Sequence, residues 1–259
     1  MDYSLPEAVR VESDGPVRIV RLNRPEQLNA ANDDLHLGLT RVFPMLSADA
    51  EARVAVITGE GRAFSAGGDF ALLDRMVKDR ELRRTTIAEG RELVLNMIRC
   101  RVPVIAAVNG PAVGLGCSVV ALSDVVYMAQ SAYLSDPHVM VGLVAADGGP
   151  LTWPLHMSLL LAKEYAFTGE RIPAVRAKEI GLANHVCPDG EVFSAALAAA
   201  HKIAALPRQA VEATKRVLNL HIERAVLASI DFALAAETES FDTDDLRGNV
   251  ARFLKRSSG

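Results

Sequence analysis

Residues 104–118, VIAAVNGPAVGLGCS, decide how this chain folds. The leading apolar residues read as a fully buried strand, and Asn109-Gly110 then breaks it. Gly114 and Gly116 permit close backbone approach before the apolar run at 119–122 opens a helix. A buried strand that feeds a glycine turn and a helix N-terminus leaves backbone N–H groups free to meet a negatively charged oxygen. Taken alone, the same pattern also describes an ordinary tight strand-to-helix joint.

A second segment repeats the design. Ser65-Ala66-Gly67-Gly68-Asp69 also follows a strand end and precedes a helix. If the two ends converge, one N–H from each makes a two-donor pocket for charge developing on a thioester or ketone oxygen. Neither segment is a dinucleotide fingerprint in its strand-turn-helix context, nor a phosphate loop ending in Gly-Lys-Ser/Thr. Nicotinamide chemistry and nucleotide hydrolysis are therefore poor readings.

Around these segments the chain alternates strands and helices. Residues 9–11 and 17–22 predict a hairpin turning at Asp14-Gly15, and residues 54–58 and 125–129 predict further strands. Leu35, Leu39, Val42, Phe43 and Leu46 recur at helical spacing. Residues 78–84 read as a solvated lid or helix face, and residues 142–154 as turn-rich. From Glu191 two alanine- and leucine-rich helices follow, separated at Leu206-Pro207, the second expected to run to about Glu239. The pattern is α/β, with residues 1–200 as the core and 201–259 as a helical region for oligomerisation and active-site closure.

Composition narrows the functions. The formal charge of -4 without a basic block argues against nucleic acid or an anionic membrane as partner. Cys100, Cys117 and Cys187 are odd in number and widely spaced, which suggests neither a disulfide framework nor a zinc knuckle. His156, His185, His201 and His221 lack ligand spacing, so no metal site is expected. The start MDYSLPEAV has no leader pattern and no stretch reaches the length of a membrane span, so the expected setting is the cytoplasm.

Four segments in order, LNRPEQLNA from Leu22, FSAGGD from Phe64, AAVNGPAVGLGC from Ala106 and FTGERIPAVRAKEIGLANHV from Phe167, resemble the enoyl-CoA hydratase/isomerase, or crotonase, superfamily. The resemblance implies a crotonase-like spiral of β-β-α units with a C-terminal trimerisation region, assembled as a homotrimer or homohexamer. It implies an acyl-CoA substrate, coenzyme A entering only as part of the thioester and no permanently bound cofactor. It assigns the backbone N–H groups of Gly68 and Leu115 to an oxyanion hole, and the carbonyl near Ala66 to the adenine of CoA. Arg24, Arg62 and Lys255 are candidate phosphate contacts, and Trp153 a candidate wall of the acyl pocket.

The catalytic side chains depart from the hydratase pattern. Ser118 and His138 stand where hydratases carry two glutamates. His138 lies in DPHVMVGLVAADGG, after Asp136 and nine residues before Asp147. A chain that returns on itself places Asp147 against His138, fixing the tautomer so that the imidazole acts as general base toward water, with Ser118 orienting it. Hydration of an enoyl-CoA is the leading expectation. The alternatives are cleavage of a carbon–carbon bond in a β-diketone or 3-oxoacyl-CoA, as in family members with a similar Asp-His pair, and acyl-CoA binding without chemistry. A Ser118-His138-Asp147 nucleophilic triad is disfavoured because nothing local resembles a nucleophile elbow. Glu237 and Glu239 are read as a solvated helix face, with projection into the site the lesser reading.

Overall fold

The computed structural model describes residues 2–257. Strands β1 (Val9–Asp14) and β2 (Val17–Leu22) form the expected antiparallel hairpin, followed by α1 (Asp33–Ala48), β3 (Val54–Gly59), α2 (Phe70–Lys78) and α3 (Arg80–Arg99). Next come β4 (Val104–Val108), β5 (Ala112–Val113), α4 (Leu115–Ala121), β6 (Val125–Ala129), β7 (Tyr133–Ser135), α5 (His138–Val141), α6 (Gly149–His156) and α7 (Leu159–Thr168). The chain ends with β8 (Ile172–Pro173), α8 (Ala174–Glu179), β9 (His185–Cys187), α9 (Val192–Ala204), α10 (Arg208–Leu227), α11 (Ile230–Ser240) and α12 (Asp244–Ser257).

Six strands make the main sheet in the order β1-β2-β3-β4-β6-β9, parallel from β2 onward. Every residue of β3 and β4 is buried, as continuous apolar runs require when helices cover both faces. Helix α9 lies against β3 and β4, and its inward residues are alanines, Ala196, Ala200 and Ala204, which allow a close approach. A small second sheet, β5-β7-β8, stands beside the C-terminal ends of the main strands.

Asn29 and Asn109 lock the loops leaving β3 and β4 together. Asn29 Nδ2 donates to the carbonyls of Glu60 and Ala63, both at 2.9 Å, and Asn109 Nδ2 donates to Gly61 O at 2.9 Å. The Gly59 amide donates to Asn109 Oδ1 at 3.1 Å. Gly110 is required by proximity, since a Cβ there would lie 2.2 Å from Arg62 O.

Three expectations are corrected. The helix expected to continue to Glu239 breaks at Ala228-Ser229, because Val226 and Ile230 are both wholly buried and α11 turns to pack on α3. Packing overrides the helix propensity of the alanine-rich sequence. Residues 142–154 hold most of α6, started by Pro150 at its first turn, where a missing N–H costs nothing. The segment at 78–84, expected as a solvated lid or helix face, is a helix face at the joint of α2 and α3 and not a lid: most of it is exposed, Asp79 caps α3 at the amides of Glu81 and Leu82, and Arg83 is buried and paired with Asp242.

The helices after residue 200 share the core of the sheet. Lys215 Nζ donates to Val102 O at 2.8 Å and to Asp124 Oδ2 at 2.6 Å, and Asn219 Nδ2 to Ile98 O at 2.8 Å. Helix α12 packs on α2, where Phe253 stacks on Phe70 with centroids 3.6 Å apart. Among the described residues no helix is long and apolar enough to cross a membrane.

Gly110→Ala drives a methyl into the Arg62 carbonyl, which no side-chain rotation relieves. It should cost roughly 1–3 kcal/mol, read as a lower urea midpoint at unchanged slope. Gly15→Ala, with nothing within 4 Å of the added carbon, should lose only the strain of its left-handed backbone, about 1–2 kcal/mol.

Candidate active site

The two glycine turns meet. Val113 donates its N–H to Ser65 O at 2.9 Å, drawing the segment after β4 against the segment after β3. Gly67 and Gly114 both have left-handed φ values, 90° and 50°. A Cβ on Gly67 would sit 2.9 Å from Val113 O, and one on Gly114 would sit 3.6 Å from both Gly67 Cα and His138 Cε1. The turns therefore touch backbone to backbone, with the imidazole of His138 against the second.

Neither the Gly68 nor the Leu115 amide donates a hydrogen bond to any described residue. Leu115 is the first residue of α4, where amides have no intrahelical acceptor. Both residues line one cavity of about 420 Å³, together with Ala66, His138, Asp147 and Glu237. Two unbonded donors and three ionisable side chains thus share one space.

The charges in that space are coupled. His138 Nδ1 is hydrogen-bonded to Asp136 Oδ1, and the Asp136 side chain is 1% exposed. Burial opposes charge on the imidazole, but Asp136, with Asp147 and Glu237 nearby, more than offsets it and raises the ring from 6.5 to about 10. Burial likewise opposes the Asp136 charge, and His138 keeps that carboxyl below its ordinary value. Glu237 is pushed by burial and by the Asp147 charge from 4.5 up to about 8. These shifts favour an imidazolium clasped by Asp136 and oppose ionisation of Glu237.

Several sequence expectations need correction. Asp147 does not hold the imidazole; Asp136 does, reaching back across Pro137, and the DPH spacing was the overlooked signal. Asp147 instead lies 3.0 Å from Ser118 Oγ, as its acceptor. Ser118 is 1% exposed, also lies 3.2 Å from Gly114 O, and does not line the cavity, so it meets neither water nor substrate there. Beside Asp136 the imidazole is raised to about 10, in the direction that favours its protonated form.

Trp153 is fully buried and is not part of the cavity wall; its Nε1 and Asp136 Oδ2 are both buried without a partner. Arg24 donates from Nη1 to Ala30 O and to Asp69 Oδ2, the latter at 3.2 Å, and does not line the cavity. Arg62 and Lys255 are exposed and lie outside the cavity. Glu237 faces the cavity and Glu239 does not. Ile230, Ala233, Leu234 and Glu237 follow the spacing of one inward helical stripe, a signal present in the sequence once the helix start is known. Among the described residues, no group of three His, Cys, Asp or Glu side chains is arranged to hold a metal ion.

A family model described as enoyl-CoA hydratase/isomerase matches residues 12–258. The short-chain-enoyl-CoA hydratase of Clostridium acetobutylicum is 31% identical over 260 residues, covering 96% of this chain and 95% of that one. The mitochondrial enoyl-CoA hydratase of Pongo abelii is 27% identical over 240 residues, covering 93% and 81%. Among solved structures, an enoyl-CoA hydratase/isomerase from Mycobacterium paratuberculosis superposes with a TM-score of 0.95 at 64% identity, covering 96% of this chain and all of that one. A second, from Pseudoalteromonas atlantica, gives 0.86 at 26% identity, covering 96% and 98%. With its strand order, its paired glycine turns and these relatives, the chain belongs to the enoyl-CoA hydratase/isomerase family and has the crotonase-like fold.

Proposed function

We propose that this protein hydrates the double bond of an α,β-unsaturated acyl-CoA. The observation that carries the reading is the pair of unbonded amides, Gly68 and Leu115, opening on the same cavity as His138, Asp147 and Glu237. The thioester oxygen takes the two N–H bonds, which strengthen as the carbonyl becomes an enolate. Asp147, fixed by Ser118, accepts a proton from water as the water oxygen bonds to the β-carbon. The double-bond electrons move onto the thioester, and His138 Nε2 delivers a proton to the α-carbon. Asp147 is then protonated and His138 neutral; Glu237, electrostatically coupled to both, gives its own proton to His138 and takes the one on Asp147, which resets the site.

In this reading a carboxylate from the loop before α6 serves beside position 118, where hydratases carry a glutamate. Asp136 is a positioning residue that keeps His138 charged and correctly turned. Ala66 at the cavity is the adenine contact, and exposed Arg62 and Lys255 are the free cations for CoA phosphates. Leu160, Phe167 and Phe232, exposed on α7 and α11, are the surfaces for a homotrimer or homohexamer. Carbon–carbon hydrolysis, suggested by an Asp147-His138 pairing and by the two missing glutamates, keeps the second motive, while the aspartate paired with His138 is Asp136.

Incubation with crotonyl-CoA and longer enoyl-CoAs should give one product heavier by one water, with loss of the conjugated thioester absorbance. Two fragments from a 3-oxoacyl-CoA, or binding without product, would defeat the proposal. His138→Gln and Asp147→Asn should each lower kcat/KM by about 10²–10⁴-fold.

The pH profile carries the sign of the His138 role. A proton donor predicts activity sustained at neutral pH and lost as pH rises through about 10; a base predicts the opposite limb. Because the folded-state value lies above 6.5, the ion pair's contribution to stability is complete below 6.5 and fades as pH climbs toward 10. Asp136→Asn should abolish the alkaline limb and bring the imidazole below 6.5, measured by titration of its Cε1 proton in NMR.

Glu237 adds a term of its own. Raised from 4.5 to about 8, it lowers stability as pH rises through that interval, because ionising it in place is costly. Glu237→Gln should flatten that decline in urea melts.

A further inference from the structure

The cavity has a second polar wall that the reaction above does not use. His36 of α1 and Thr86 of α3 face it from the side opposite in sequence and element to His138 and Glu237, and Leu72, Leu73, Met76 and Leu143 line it with hydrocarbon. The His36 side chain is only 10% exposed. Its Nδ1 lies 3.1 Å from Glu89 Oε2, and since a carboxylate only accepts, the ring hydrogen sits on Nδ1.

Nε2 is then left over. No described residue hydrogen-bonds it, yet it is not a sealed orphan atom, so its open side is the cavity. Gly90, one turn beyond Thr86 on the same face of α3, also lies near that nitrogen: a Cβ there would find His36 Nε2 as its nearest neighbour, at 4.0 Å, an ordinary contact. Thr86 Oγ1 spends its proton on Leu82 O at 3.0 Å and keeps acceptor lone pairs. In the uncharged ring Nε2 is an acceptor too, so a hydroxyl gives its one proton to Nε2 and takes a hydrogen bond from Thr86 Oγ1 when that group turns away from Leu82 O.

Helix anchoring requires only the Nδ1–Glu89 bond and does not account for a nitrogen bared to an otherwise apolar pocket. A hydrocarbon chain packed over it would leave the nitrogen unsatisfied at a cost of about 1–3 kcal/mol. A site built to bond a substrate hydroxyl discriminates strongly against the analogue lacking it.

We propose that His36 Nε2 and Thr86 Oγ1 form a hydroxyl-binding subsite in the acyl pocket, so that the preferred substrate is an acyl-CoA bearing a hydroxyl on its acyl chain, away from the thioester. A hydroxyl suits the ring in either charge state, donating to its lone pair or accepting from its N–H. The inference rests on the reading of this cavity as an acyl-CoA site and is independent of which step His138 performs.

Calorimetric titration of the full chain with saturated acyl-CoAs, from butanoyl-CoA to octanoyl-CoA, and with their terminal-hydroxy counterparts tests it without requiring turnover. At one chain length or more the hydroxy compound should bind at least about tenfold more tightly, the equivalent of 1.4 kcal/mol. His36→Phe, which keeps a ring but no polar atom, should erase that preference, and His36→Gln should restore part of it. Thr86→Val, a change at a half-buried helix position, should weaken it with little effect on the melting midpoint. Equal binding of both series at every length, or a preference that survives in His36→Phe, would overturn the subsite while leaving the acyl-CoA reading in place. Failure of every acyl-CoA to bind would remove both.

Discussion

Everything at this site depends on two backbones touching where side chains would forbid it. The turn through Gly67 lies against Val113 and Gly114 at distances that a Cβ on Gly67 could not share. That contact brings the amide of Gly68, at the end of one loop, beside the amide of Leu115, at the start of α4, and leaves both without internal acceptors. Donors fixed by the main chain need no reorganisation when charge appears on a bound oxygen, which is why such pairs are effective in a cavity poor in water. The asparagines 29 and 109 hold the loops from behind, and the apolar strands β3 and β4 set the spacing of both.

The second constraint is charge. Three carboxyls, Asp136, Asp147 and Glu237, act on one imidazole, and burial taxes every charge among them. The shifts favour keeping the closest pair, Asp136 and His138, ionised and oppose charge on Glu237, which is buried, faces the Asp147 carboxylate and is hydrogen-bonded by no described residue. In the hydration proposed above, that separation would place a donor and an acceptor of different strength side by side, with carboxylates from other elements of the fold serving where the family resemblance expects two glutamates.

The fold was largely legible because it is written in local terms. Apolar runs at 54–58 and 104–108, the Asp14-Gly15 turn and the glycine segments each announce their structure within a few residues. The partners in the site were not, because they depend on how distant elements meet. A returning loop favours Asp147 as the companion of His138 when the sequence is read alone; the start of α5 turns the imidazole back over Pro137 to Asp136 instead. Glu237 was hidden by the break at Ala228-Ser229, which no glycine or proline marks and which resets the helical phase. Trp153 followed a composition habit, a large aromatic near a pocket, and packs instead beneath it.

Gly148 and Gly149 show how packing and chemistry become one requirement. Gly148 has φ of -172°, an extended backbone open to any residue, so its lack of a side chain answers to space. A Cβ there would fall 2.0 Å from Ser118 Oγ and 2.6 Å from Ser118 Cα, and one on Gly149 would fall 2.3 Å from Asp136 Oδ2. The loop after Asp147 is thereby pressed onto Ser118, which donates to Asp147, and onto Asp136, which is bonded to His138. Loosening either glycine contact would shift a carboxylate and its partner together, so the turn that reads as mere punctuation in the sequence sets where Asp147 stands relative to His138.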